Sequence, residues 1–155
     1  MYLYANPANR SQMKADLIWE IERGLALTAQ QIHDASVIRS AWFAEFADMR
    51  NIDFLALPSA QIFPFPAEWE WPKSIGNKPM DTYHRWMEVV VPASLIGVPA
   101  LSLPAGFNDA GLPMGMQLIG RRGTDAQVLG AGQDYHLATD WPGQRPPPVA
   151  DFALS

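Results

Sequence analysis

Two apolar runs punctuated by glycine and proline constrain this chain more than anything else in it. Val98–Pro104 is bracketed by Gly97 and Gly106, and Leu112–Gly120 follows the turn-forming tetrapeptide Asn108-Asp109-Ala110-Gly111. Short apolar runs on either side of such a turn read as a hairpin or as adjacent strands. In the second run Gly115 and Gln117 share one parity, while Met114, Met116 and Leu118 share the other. One face of that strand is therefore thin, and another backbone is expected to approach it closely. Gly106 and Gly111, each ending an apolar run or a turn, are the glycines expected at positive φ. Fourteen prolines and eleven glycines in 155 residues continue this punctuation, which is unusual for a helical bundle.

The rest of the chain supplies mostly helices. Residues 1–10 read as an irregular lead-in. Ser11 is placed to cap a helix through Leu17, Ile18 and Ile21 that stops at Gly24. Thr28 with Gln31 forms a capping box for a second helix. On it Ile32, Ala35, Arg39, Trp42, Phe46 and Met49 recur at 3–4 spacing, so one face is apolar except for Arg39. That guanidinium must snorkel outward or find a buried acceptor. The β-prone run 52–57 ends at Pro58 and reads as a buried strand. Residues 60–79, with four prolines and the aromatics Phe63, Phe65, Trp69 and Trp71, show no period and read as a long ordered loop. Asp81 can cap a helix from 82 to 95, which Pro92 would bend or end early. Thr124 with Gln127 opens a last helix to about Leu137, and within the Pro-rich tail 138–155 the residues from Pro142 to Ser155 read as extended. Neither an internal repeat nor a linker divides the sequence, so it reads as a single domain over 1–155.

Composition narrows the function. A net charge of −5 gives no basic footprint for nucleic acid. No run of apolar residues approaches the roughly 18 needed to span a bilayer, and Met1 is not followed by a signal peptide, so no membrane partner and a cytoplasmic location are expected. Zero Cys excludes disulfides, thiolate zinc sites and a cysteine nucleophile. None of the eight serines lies in G-x-S-x-G. Ser11-Gln12-Met13-Lys14 matches S-x-x-K, but its companion motifs are missing, and the pair reads as a helix cap and a solvated lysine. His33, His84 and His136 lack metal-binding spacing and read as surface or capping residues. Arg121-Arg122 reads as a solvated strand end. No G-x-G-x-x-G is present, so neither a dinucleotide cofactor nor any other is expected.

Residues 94–107 (SLIGVPALSLPAGF), followed by 111–120 (GLPMGMQLIG), resemble the C-terminal part of amidase signature family enzymes. Residues 53–59 (DFLALPS) resemble a strand of that family that ends in Pro-Ser or Pro-Thr, and 124–136 resemble its following helix. The resemblance covers about residues 11–137. It implies an α/β fold, a portion of an α/β/α sandwich around a mixed sheet, with core strands near 52–57, 98–105 and 113–119. It further implies an amide hydrolase working through a Ser-cis-Ser-Lys triad, which needs no metal or cofactor. The Gly-Gly-Ser-Ser-Gly-like segment and the lysine of that triad have no counterpart in this sequence, so no catalytic residue is assigned. One departure is Ser94, where many members carry Asn.

By the resemblance, the helix before G-x-P-A borders the acyl channel, which makes Tyr83, Met87 and Val91 the expected pocket lining. A plain core stripe is the alternative for these three positions. The expected activity is cleavage of C–N amide bonds of a small molecule, with the chain inactive by itself. A partner chain or a missing N-terminal part would then carry the Gly-Ser-Ser segment. The alternative is a degenerate amidase remnant serving as a binding or assembly module. Either way a homo-oligomer or a partner-held chain is expected, through the faces of 98–105 and 113–119 or the helix bearing Trp42 and Phe46.

Overall fold

The computed structural model describes residues 2–146. The chain divides into two compact units, one up to Phe46 and one from Ala47 onward.

The first unit is helical. In place of an irregular lead-in it opens with α1 (Tyr2–Ala5) and α2 (Pro7–Arg10), the latter capped by Asn6, whose side chain accepts from the Ala8 N–H. Next come α3 (Ala15–Leu25) and α4 (Ala29–Asp48), whose last two residues belong to the second unit. Ser11 is not the cap of α3. It closes α2 instead, donating to the Ala8 carbonyl at 3.0 Å, and α3 starts from Lys14 with no side-chain cap. Gly24 likewise lies inside α3 rather than ending it. The capping box ahead of α4 is present: Thr28 N–H donates to Gln31 Oε1 at 2.9 Å, and Gln31 N–H to Thr28 Oγ1 at 3.2 Å. The stripe on α4 is another matter. Of its members only Phe46 is buried, Ile32 stays 54% exposed, and Arg39 faces solvent.

The second unit is built on a three-stranded sheet in the order β1 (Leu55–Pro58), β5 (Pro113–Ile119), β4 (Ala100–Phe107). Both pairings are antiparallel, with Gln117 opposite Leu57 on one side and Ser102 on the other. The α/β class is as expected, and the β4–β5 pair is the hairpin. Between β1 and β4 lie the two-residue strands β2 (Ser74–Ile75) and β3 (Lys78–Pro79), a short helix α5 (Tyr83–Trp86), a 3-10 turn (Glu88–Val90) and α6 (Val91–Ile96). After the sheet come α7 (Asp125–Thr139) and α8 (Trp141–Gln144).

Side-chain parity fixes the layers. Leu101 and Leu103 face α7, where Gly132 leaves the room they fill: a Cβ at Gly132 would fall on the Leu101 side chain. Gln117 lies on the opposite face and reaches the 3-10 turn. Ile119 and Val128 are each 2% exposed. Burying a side chain of that size stabilises the fold by about 1.5–3 kcal/mol. Gly106 (φ +111°) and Gly111 (φ +77°) both adopt the expected positive φ. A Cβ at Gly106 would meet the Trp141 ring at 3.3 Å, and one at Gly111 would overlap the Arg145 guanidinium, so α8 and Arg145 lie against the hairpin. The tail is therefore helical through Gln144 rather than extended, and its residues 147–155 lie outside the described part.

Three local expectations fail for identifiable reasons. Thr124 does not cap α7, because its hydroxyl donates to the Arg121 carbonyl at 2.7 Å. Arg121 is not a solvated strand end: its guanidinium donates to the carbonyls of Ala47, Met49 and Ile52, all within the second unit. Nor is 82–95 one helix. Thr82, not Asp81, caps it, Asp81 pairing instead with the Arg85 guanidinium at 3.1 Å. The backbone then departs from helix at Met87 (φ −98°, ψ 6°) and resumes at Val91 with Pro92 in its first turn, where the absent N–H costs nothing.

Candidate functional site

The residues singled out for pocket lining sit on this interrupted segment, and the interruption separates them. Tyr83 is on α5, Met87 is the residue at the break, and Val91 opens α6. A continuous helix would stack them at i, i+4 and i+8; here each has different surroundings. Val91 lines an open cleft of about 260 Å³ together with Thr82, His84, Arg85, Glu88 and Pro92. Met87 is half-buried and outside that lining.

Tyr83 belongs to a wall of aromatic rings instead. It meets Trp71 edge-on at 6.0 Å and Trp86 edge-on at 5.9 Å. Trp86 meets Phe65 at 5.6 Å, and Phe65 stacks on Trp69 at 6.1 Å with 22° between their planes. Five rings from the 60–79 loop and α5 thus form one chain of offset and edge contacts, the arrangement the ring quadrupole favours. Lys73 Nζ sits 3.5 Å from the Trp71 ring centroid, closing one end. Trp69 and Tyr83 remain 53% and 38% exposed, so part of the wall faces solvent. Sequence reading finds the aromatics and misses the wall, since the loop carries no period.

The short β2–β3 pair closes the end of the 60–79 loop, which the sequence does not announce, and side-chain hydrogen bonds tie down the rest. Trp71 Nε1 donates to the Met80 carbonyl at 3.3 Å, and Gln61 Nε2 donates to the carbonyls of Arg85 and Trp86. Arg85 sits between two carboxylates, its Nε 3.1 Å from Asp81 and its Nη1 3.7 Å from Glu88. The rim of the cleft is therefore charged but locally balanced. Its lining offers one paired guanidinium, a histidine and the apolar Val91 and Pro92, while the aromatic faces belong to the separate ring wall. The cleft lining holds no serine or lysine side chain. No group of three or more His, Asp or Glu side chains suited to a metal ion occurs among the described residues, and no helix there is long and apolar enough to cross a membrane.

The amidase family model matches residues 10–129. A glutamyl-tRNA(Gln) amidotransferase subunit of Chloroflexus aggregans is 38% identical over 115 residues, covering 72% of this chain and 22% of that protein. Its counterpart of the same name in Hahella chejuensis is 47% identical over 74 residues, covering 46% of this chain and 15% of its own length. Among solved structures, a bacterial aryl acylamidase of the amidase signature enzymes superposes with a TM-score of 0.78 at 25% identity. The match covers 88% of this chain and 29% of that one. The chain thus spans between 15% and 29% of the length of these three proteins.

Proposed function

We propose, on the premise that this chain belongs to the amidase family, that it is the C-terminal portion of a hydrolase that cleaves C–N amide bonds of small molecules. The observation that carries the reading is the family match over residues 10–129, in a sequence that holds no Gly-Gly-Ser-Ser-Gly-like segment. The nucleophile and its lysine base then reside in a missing N-terminal part or a partner chain, and this chain contributes substrate contacts. Tyr83, Met87 and Val91 are the proposed pocket lining, Tyr83 through the ring wall and Val91 through the cleft. The reaction would be acyl transfer through a serine ester, with no metal or cofactor called for and the cytoplasm as its place.

By this reading, apolar side chains left exposed, such as Ile38 at 70% and Leu137 at 71%, are covered by the completing polypeptide or by a further copy of the chain. Sedimentation as a clean monomer at micromolar concentration, with no uptake of hydrophobic dye, would remove that part of it. For the pocket, the chain is titrated with acetanilide while its tryptophan fluorescence is followed. Saturable binding is expected, weakened about fivefold by Tyr83→Ala through loss of ring contacts, with no aniline released. Absence of saturable binding contradicts the pocket assignment.

A further inference from the structure

The break at Met87 leaves backbone carbonyls that an unbroken helix would have paired with N–H groups four residues on. A carbonyl withdrawn from water is costly to leave unpaired; Trp86 O, Val89 O and Pro58 O accept in part-buried surroundings, while Arg85 O is exposed and also accepts from the Met87 N–H. Here two glutamines take them. Gln61 Nε2 donates to Arg85 O at 2.7 Å and to Trp86 O at 2.5 Å. Gln117 Nε2 donates to Val89 O at 2.7 Å and to Pro58 O at 2.9 Å. A primary amide is suited to this, because it carries two donors on one uncharged nitrogen. Lysine would bring a charge into a site where Gln117 is only 5% exposed.

The surrounding geometry routes the chain to these donors. Gly115 shares the face of Gln117, and a Cβ there would fall on the Ser59 hydroxyl. Ser59 N–H donates to the Gly115 carbonyl at 2.9 Å. The backbone leaving β1 is thereby held on β5 for one residue beyond the strand, and two residues later Gln61 reaches α5. Gln117 thus joins the end of β1 to the 3-10 turn, and Gln61 joins the start of the aromatic loop to the end of α5. The rings Phe65, Trp69, Tyr83 and Trp86 belong to the two segments so joined.

We propose that Gln117 and Gln61 are positioning residues. They hold the 83–91 segment in its broken form on the sheet and so assemble the aromatic wall in advance of any ligand. The proposal rests on the reading that this wall contacts the amide substrate, and it adds the device that sets the wall's shape. Neither glutamine touches the substrate. Their role is to fix where Tyr83 and Trp86 stand.

The test uses the whole chain and two variants of similar volume that lack donors, Gln117→Met and Gln61→Met. Three quantities are read: near-ultraviolet circular dichroism of the rings, hydrogen exchange of peptides spanning 83–91 and 113–119, and the fluorescence titration with acetanilide. Each variant is expected to lose most of the ring dichroism. Exchange over 83–91 should rise about tenfold or more, the scale of losing two hydrogen bonds to carbonyls, with 113–119 unchanged. Acetanilide binding should weaken by a similar factor. Wild-type dichroism and exchange in both variants would overturn the proposal. So would equal loosening of 83–91 and 113–119, which would make Gln117 an ordinary core residue. Gln61 lies outside the sheet, so Gln61→Met decides the matter if Gln117→Met does not fold. If dichroism and exchange respond but wild type binds no acetanilide, the two glutamines still position the wall and only the pocket reading falls.

Discussion

Ile38 on α4 is 70% exposed, whereas Ile119 on β5 is 2% exposed. Both are isoleucines in regular structure, and the sequence places both in well-formed elements. The helical unit is held largely by local caps, the Thr28–Gln31 capping box and the Asn6 cap, with Tyr4 and Arg10 reaching across 18 and 12 residues to the exposed Glu22 carboxylate, at 2.8 and 2.6 Å. The sheet unit is held by partners far apart in the chain, with β1 and β4 flanking β5 and Gln117 reaching residues 28 and 59 positions away. The contrast separates two properties that are easily confused. Forming a helix needs caps and local spacing; burying its apolar side chains needs a surface supplied from elsewhere. The first unit has the former and, among the described residues, little of the latter.

The sharpest way to break this comparison is to truncate one isoleucine in each region. Ile119→Ala should destabilise the chain by about 2–5 kcal/mol, as removal of a buried side chain leaves a cavity. Ile38→Ala should stay within about 0.5 kcal/mol, as exposed substitutions do. Urea denaturation followed by circular dichroism gives both values, and equal losses would show that α4 is covered in solution. A smaller contrast lies within α7 itself. Gly132→Ala forces a methyl onto the Leu101 side chain and should cost about 1–3 kcal/mol. Gly130→Ala meets nothing within 4 Å and should stabilise by up to about 1 kcal/mol, because glycine is a poor helix former. The same denaturation series reads both, and the signs should be opposite.

How far the sequence reveals the molecule follows the same division. The hairpin, the Thr28 capping box and the positive φ of Gly106 and Gly111 are all legible, since each depends on a few adjacent residues. Ser11 and Thr124 look like caps in the sequence and are not, because a hydroxyl takes whichever acceptor the local turn presents. For Ser11 that is the Ala8 carbonyl, and for Thr124 the Arg121 carbonyl. The broken helix at 82–96 is hidden for a different reason. What stabilises the break is Gln61 and Gln117, more than twenty residues away on either side, and no local pattern announces them. The ring wall is illegible for the same cause.

Two weaker effects probe the local half of the comparison. Thr28→Ala removes the hydroxyl half of the capping box on α4, leaving the bond from the residue-28 N–H to Gln31, and should cost about 1 kcal/mol, read from the loss of helical signal on heating. Tyr4 is held above its ordinary pKa chiefly by the hydrogen bond its hydroxyl donates to Glu22, with Arg10 pulling partly the other way. A folded-state pKa above the unfolded value means that the contribution is fully present below pH about 10 and is lost as pH rises further. Absorbance titration at alkaline pH should show one late-titrating tyrosine that returns to the ordinary range in Glu22→Gln.

The functional claim meets its most direct test in a serine-directed reagent. The 155-residue chain is incubated with a fluorophosphonate probe and its labelling stoichiometry is measured by intact mass. The account predicts no adduct on any of the eight serines, because the sequence holds no Gly-Gly-Ser-Ser-Gly-like segment in which one would be activated. Stoichiometric labelling at one serine, abolished when that serine is changed to alanine, would show that the chain holds a working nucleophile of its own and would contradict the account.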